Sequence, residues 1–264
     1  MPPLGLASIA ACLDAAGFSS FILDCYAHPD ADGRLLELLR EHRPGLIGFS
    51  CTTASFHDSV RLAGLAKQEL PEIRTAFGGA HVSALQEKVL DFSPLIDYAV
   101  IGEGEQTMIE LAQLAGETPR DIGGVVWHDS DGAIVNNGYR SDALILDELP
   151  FPAYEKLAGY PDAYKLPIFN YPKAPNTSCI SSRGCPYSCS YCDRSVFQRS
   201  FRFNSAEYLY AHLEYLKNRF GIRHINFYDD QFTFQRKRVE QFCRMMIDKP
   251  LGMTFNCAVR AEHV

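Results

Sequence analysis

The sequence predicts an α/β protein in two parts: a Rossmann-like, doubly wound parallel sheet, then a second run of β/α units. Three observations predict it. Short apolar runs alternate with amphipathic helical stretches from residue 1 to about 128. Residues 129 to 172 turn proline- and aromatic-rich, as a connector does. Strand–helix alternation then resumes over 173 to 264. With 264 residues the chain has the length of about two domains. Its 47% hydrophobic and 22% charged residues suit buried cores in water.

The elements follow in order. Leu6, Ile9, Ala10 and Leu13 repeat at helical spacing, and Gly17 ends that helix. Phe18 to Asp24 reads as a strand. Leu35 to Arg40 reads as a helix, stopped by His42-Arg43-Pro44-Gly45. Leu46 to Ser50 is an apolar run of the buried parallel kind. Phe56 to Leu70 is helical, Arg74 to Phe77 and Tyr98 to Ile101 are strands, and Met108, Leu111, Ala112 and Ala115 mark another helix. The chain enters its first helix straight from Met1-Pro2-Pro3, so the expectation is a sheet lacking its first strand.

Ligands in such sheets bind where strands end and helices begin. Three loops there are rich in small and polar residues: Ser50-Cys51-Thr52-Thr53, Gly78-Gly79-Ala80-His81 and Gly102-Glu103-Gly104-Glu105. The last resembles a dinucleotide fingerprint only superficially. Thr107 replaces its third glycine, and no acidic strand end follows at the distance that ribose recognition needs. NAD is therefore disfavoured. His81, at a helix start, suits a hydrogen bond or ligand-edge contact better than metal ligation. The other histidines show no metal spacing and read as surface or packing residues.

Gly124 to Trp127 and Ala133 to Asn136 flank Asp131-Gly132, a hairpin signal. The connector carries Phe151, Tyr154, Tyr160, Tyr164 and Phe169, enough apolar surface to pack. Beyond it, Thr177 to Ser182, His224 to Tyr228 and Met253 to Val259 read as strands. Between them lie a helix capped by Ser205 and closed by Gly221, and a helix over Lys237 to Ile247.

After the first of these strands comes Cys185-Pro-Tyr-Ser-Cys189-Ser-Tyr-Cys192. Thiolates are the usual ligands of iron–sulfur clusters, and three of them leave one iron open to a small molecule. Structural zinc wants four ligands, and no second Cys or His pair follows. A thioredoxin-like pair at Cys189 and Cys192 leaves Cys185 unexplained. The other six of the nine cysteines sit in apolar or strand-like surroundings and read as core residues in a reducing, cytoplasmic setting.

This Cys-x3-Cys-x2-Cys loop after a strand resembles the radical S-adenosylmethionine superfamily. The resemblance implies a 4Fe–4S cluster on Cys185, Cys189 and Cys192, with S-adenosylmethionine on the open iron. It places Tyr191 against the adenine, Asp229 or Asp230 at the methionyl amine, and Arg260 at the carboxylate. The commoner Gly-Gly-Glu at the second strand end is absent here. The resemblance also implies a β/α barrel, of which residues 173–264 would be the N-terminal half. Residues 1–128 resemble the cobalamin-binding domain that precedes many such enzymes. Leu4, Gly5, Ser50, Thr52, Thr53, Gly78, Gly79, His81, Gly102, Glu103, Gly104 and Glu105 would then line the cobalamin. The Pro-Pro-Leu-Gly loop has no histidine, so cobalt would lack an axial imidazole from it.

The function expected is radical chemistry on an unactivated carbon, by methyl transfer, cyclisation or rearrangement. Its substrate is unknown, and flavodoxin or ferredoxin would donate electrons. The alternatives are a radical enzyme without cobalamin and an inactive cobalamin- or cluster-binding fragment. The net charge of −7, without a basic run, gives no nucleic-acid footprint, and no apolar run is long enough for a membrane span.

Overall fold

The computed structural model describes residues 1–28, 30–114, 117–164 and 172–263, so Ala115, Phe169 and Val264 lie outside the described residues. The chain divides into two compact units. One holds Ser8–Ala143 with Asp193–Val196; the other holds Met1–Ala7, Leu144–Cys192 and the chain from Phe197 onward.

The chain opens in α1 (Leu4–Ala15), followed by α2 (Ala31–His42). In the first unit β1 (Leu46–Ser50), β2 (Arg74–Gly78) and β3 (Tyr98–Val100) run parallel in that order. Adjacent residues on one strand point to opposite faces, which splits the core in two. Phe77, Ala99 and Ile101 pack with Phe56 and Ala63 of α3 (Phe56–Glu69), Val82 of α4 (Ala80–Leu85) and Val89 and Leu90 of α5 (Lys88–Phe92). Ala76 and Val100 pack with Met108 and Leu111 of α6 (Glu105–Gln113) and with Ile9. Helices thus cover both faces, as the apolar β runs require.

Four sequence expectations change here. The sheet is mixed: β4 (Val125–His128) pairs antiparallel with β3, and β5 (Ile134–Asn136) pairs antiparallel with β4 through a tight hairpin, which can join only antiparallel strands. The expected connector from residue 129 therefore begins with a strand of the first unit, which runs on to Ala143. Phe18–Asp24 forms no strand. Leu23 packs against the cluster of Leu35, Leu39, Leu62 and Ile73, as Ile47 and Phe49 do, but β1 ladders with β2, and among the described residues no strand lies beside 18–24. Finally, Cys25 and Cys243 are exposed and Cys257 is half-buried, so these three are not core residues.

In the second unit β6 (Asn176–Cys179), β9 (His224–Phe227) and β10 (Thr254–Cys257) form a parallel sheet in the order β10-β9-β6. α7 (Ala206–Phe220) buries Leu209, Leu213 and Leu216. Ser205 Oγ accepts the Tyr208 amide at 3.1 Å at its start, and Gly221 closes it at φ 66°. α8 (Arg236–Asp248) brings Phe242 against Phe227, Phe232 and Phe255. The connector packs here too. Tyr154 and Tyr164 are buried, and Phe151 stacks on His212 of α7 at 4.7 Å. The strand expected over 177–182 breaks at Ile180. β7 (Ser182–Arg183) turns away to pair antiparallel with β8 (Arg202–Phe203).

Candidate functional site

The three cysteines hang on a loop closed at its base. The β7–β8 ladder joins its two stems. Gly184 follows at φ +82°, where a Cβ would stand 2.2 Å from the Ser200 carbonyl oxygen, so only glycine lets the stems close. Cys185 and Cys189 are half-buried, Cys192 is exposed, and all three are free thiols. The Cys192 amide donates to the Cys189 carbonyl at 3.2 Å and turns the last spacer. Tyr191 is 87% exposed. Arg260, just past the third sheet strand, comes to this loop: its Nη1 lies 3.9 Å from Cys189 Sγ and its guanidinium 4.1 Å from the Tyr187 ring centroid. Glu262 pairs with it at 2.8 Å and raises its pKa.

This donor set fits a cluster better than a single ion. A cubane spreads its thiolates over separate irons, whereas tetrahedral zinc needs four ligands on one centre. Three free thiols on a closed, accessible loop meet the first demand and not the second.

The two aspartates after β9 part company. Asp230 is exposed. Asp229 is 3% exposed, and its Oδ1 accepts from the Ser181 amide at 3.0 Å, from Ser181 Oγ at 2.9 Å and from Ser182 Oγ. Burial raises its carboxyl pKa, and the serine donors and Arg238 pull it back. Of the two aspartates, one or the other of which the sequence offered to a ligand, Asp229 is turned into the protein and Asp230 is exposed.

In the first unit the three small-residue loops stand at the carboxyl ends of β1, β2 and β3, neighbours in one sheet. Ser50, Thr52 and Thr53 are exposed. Thr53 Oγ1 lies 3.1 Å from His81 Nδ1, and the His81 ring packs on Phe56 at 4.5 Å, so His81 links two of the loops. Gly78 and Gly79 join β2 to α4. Gly79, at φ +96°, backs onto Cys51, whose carbonyl oxygen a Cβ would meet at 2.7 Å. Gly102, at φ +80°, donates its amide to Ser83 Oγ at 3.0 Å, and Gly104 precedes α6. A row of loops at adjacent parallel strand ends is where these sheets hold ligands, so the arrangement fits a B12 cofactor. One expected contact does not hold: Glu105 is 5% exposed and accepts from Ser8 Oγ at 2.9 Å, facing α1. Leu4 and Gly5 group with the other unit.

Sequence reasoning missed Ser181, Ser182 and Arg238. The serines stood in the sequence as the end of a strand. Nothing local marks Arg238, whose partners are 57 and 34 residues away.

Comparison with known proteins bears on the family and the fold. The B12 binding domain family model matches residues 1–112, and the radical SAM superfamily model matches residues 179–261. The uncharacterized methyltransferase PH0819 of Pyrococcus horikoshii is 30% identical over 99% of this chain and 56% of its own length. An anaerobic magnesium-protoporphyrin IX monomethyl ester cyclase of Rubrivivax gelatinosus is 26% identical over 100% of this chain and 47% of its own length. The chain thus spans about half the length of these curated relatives. Among solved structures, the cobalamin-dependent S-adenosylmethionine radical enzyme OxsB superposes with a TM-score of 0.82 at 20% identity, over 98% of this chain and 36% of that one. The radical S-adenosylmethionine methyltransferase TsrM of Kitasatospora setae gives 0.72 at 18% identity, over 94% and 48%. These two likenesses show the fold. The matched families imply a 4Fe–4S cluster, S-adenosylmethionine and cobalamin as cofactors.

Proposed function

Since the chain belongs with the radical S-adenosylmethionine proteins that carry a B12-binding domain, we propose that it performs methyl transfer, cyclisation or rearrangement on an unactivated carbon. The observation that carries this reading is the closed loop that bears three free thiols at Cys-x3-Cys-x2-Cys spacing. When bound, the cofactors would supply a 5′-deoxyadenosyl radical to take a substrate hydrogen and a cobalamin to deliver the methyl group or organise the next step.

The chain's own residues then have defined tasks. Cys185, Cys189 and Cys192 hold the cluster. Tyr191, exposed beside the third cysteine, offers its ring to the adenine, and Asp230 offers a carboxylate to the methionyl ammonium. Arg260 supports the loop through Tyr187 and sets a positive charge beside Cys189, where it suits a thiolate and a carboxylate alike. Ser50, Thr52, Thr53, Gly78, Gly79, His81, Gly102, Glu103 and Gly104 meet the cobalamin. Among the described residues no helix is long and apolar enough to cross a membrane. A flavodoxin- or ferredoxin-type donor in a reducing cytoplasm suits a reducible cluster. One named relative is an uncharacterized methyltransferase and another a magnesium-protoporphyrin IX monomethyl ester cyclase, so the likeness carries the reaction class and leaves the substrate unassigned.

Anaerobic reconstitution tests the reading. The chain should take up about four irons and show a broad thiolate-to-iron band, and replacing the three cysteines by alanine should abolish both. Cobalamin titration should change the corrin spectrum. A cluster that survives the triple replacement would remove the assignment, and an unchanged corrin spectrum would remove cobalamin.

A further inference from the structure

The root of the cysteine loop is held by two buried charged residues, Asp229 and Arg238, to which the proposed function gives no task. β6 ends at Cys179, and two residues later every polar atom of Ser181 is engaged. Its amide and hydroxyl donate to Asp229 Oδ1, and its carbonyl accepts from the Asn204 amide at 2.9 Å and from Arg238 Nη2 at 3.1 Å. Ser182 Oγ donates to the same Asp229 oxygen. Arg238 Nε donates to the Asn204 carbonyl at 2.8 Å. Ser181 precedes β7 and Asn204 follows β8, so one guanidinium ties together the two stems between which all three cysteines hang. Asp229 stands two residues past β9, the strand beside β6, and so sets the loop root against its neighbouring strand.

This arrangement is a costly way to obtain stability. Asp229 and Arg238 are 3% and 4% exposed, and Asp229 Oδ2 and Arg238 Nη1 have no hydrogen-bond partner among the described residues. Burying a charge without a close counter-ion is expensive, and apolar residues of similar size often serve stability as well. What an apolar pair cannot do is direct hydrogen bonds at a serine backbone. Partners behind metal ligands orient those ligands.

Resting on the cluster assignment, we propose that Asp229, with Arg238, is a positioning residue that fixes the Ser181–Ser182 junction and so aims the cysteine loop at its cluster. It acts through the loop root and touches no cofactor.

The test compares reconstituted wild type, Asp229→Ala, Asp229→Asn, the double variant Ser181→Ala/Ser182→Ala, and Leu213→Ala. Leu213 lies buried on α7, away from these contacts, and serves as a control for general destabilisation. The readouts are iron content, the rate of iron loss to a chelator, the electron paramagnetic resonance spectrum of the reduced cluster, and melting of the iron-free chain. Asp229→Ala should release iron about tenfold faster and shift the spectrum. The double-serine variant should move the same way, and Asp229→Asn, which keeps an acceptor oxygen, should restore retention. Leu213→Ala should melt earlier yet hold iron as wild type does.

The proposal is overturned if Asp229→Ala holds iron like wild type, if Asp229→Asn restores nothing, or if Leu213→Ala loses iron as fast as Asp229→Ala. Should Asp229→Ala not fold, the double-serine variant decides, and a wild-type release rate from it overturns the proposal. Wild type that takes up no iron would instead sink the cluster assignment.

Discussion

His212 is fully enclosed on α7. Phe151 stacks on its ring, Tyr154 Oη lies 3.1 Å from Nε2, and Cys179 Sγ lies 3.6 Å from Nδ1. A charged imidazole would find no water there, and burial lowers its pKa to about 3. In the unfolded chain it titrates near its ordinary 6.5. Below 6.5 the unfolded state binds the proton and the folded state does not. Stability from this group is therefore complete above 6.5 and is lost as pH falls from there towards 3, at up to about 1.4 kcal/mol per pH unit. Melting temperatures between pH 7 and 5 should fall for wild type and fall less steeply for His212→Gln; equal slopes would contradict this account. Tyr191 presents the opposite case. At 87% exposure its replacement by alanine should change stability by less than about 0.5 kcal/mol. The same change should weaken S-adenosylmethionine binding, measured by calorimetry on the reconstituted chain.

Between residues and whole units, the loops depend on glycine at only a few points. Gly79 combines φ 96° with ψ −174°, a conformation nearly closed to other residues, and touches the Cys51 backbone. Gly79→Ala should cost about 2 kcal/mol or more in denaturant unfolding. Gly45→Ala, with open space around it, should cost less than about 0.5 kcal/mol. Local signals of this kind were legible in the sequence. Ser205 and Gly221 announced both ends of α7, the strand-end loops could be listed, and the cysteine spacing gave its chemistry. What was not legible depends on partners far along the chain. Phe18–Asp24 has the apolar content of a strand, but a strand exists only beside another. The break at Ile180 follows from Asp229, 48 residues on from Ser181, and the inward turn of Glu105 follows from Ser8, 97 residues before it. The antiparallel β4–β5 edge was half-visible, since the hairpin signal fixed the turn but not the sheet it joins.

At the scale of the whole chain, each of the two compact units carries one of the two proposed cofactor sites. A ligand that binds only the folded state stabilises it by about 2.7 kcal/mol at a hundredfold excess over its Kd. Cobalamin added to the intact chain should therefore raise the melting temperature of the transition that follows the first unit, with saturation tracking the corrin spectrum. The most direct measurement is the electron paramagnetic resonance spectrum of the reduced, reconstituted chain with and without S-adenosylmethionine. Three sulfur ligands leave one iron exchangeable, so the account predicts a cluster signal that shifts when the cofactor is added. A signal indifferent to it, or a protein that carries one zinc and no iron, would contradict the account at its foundation.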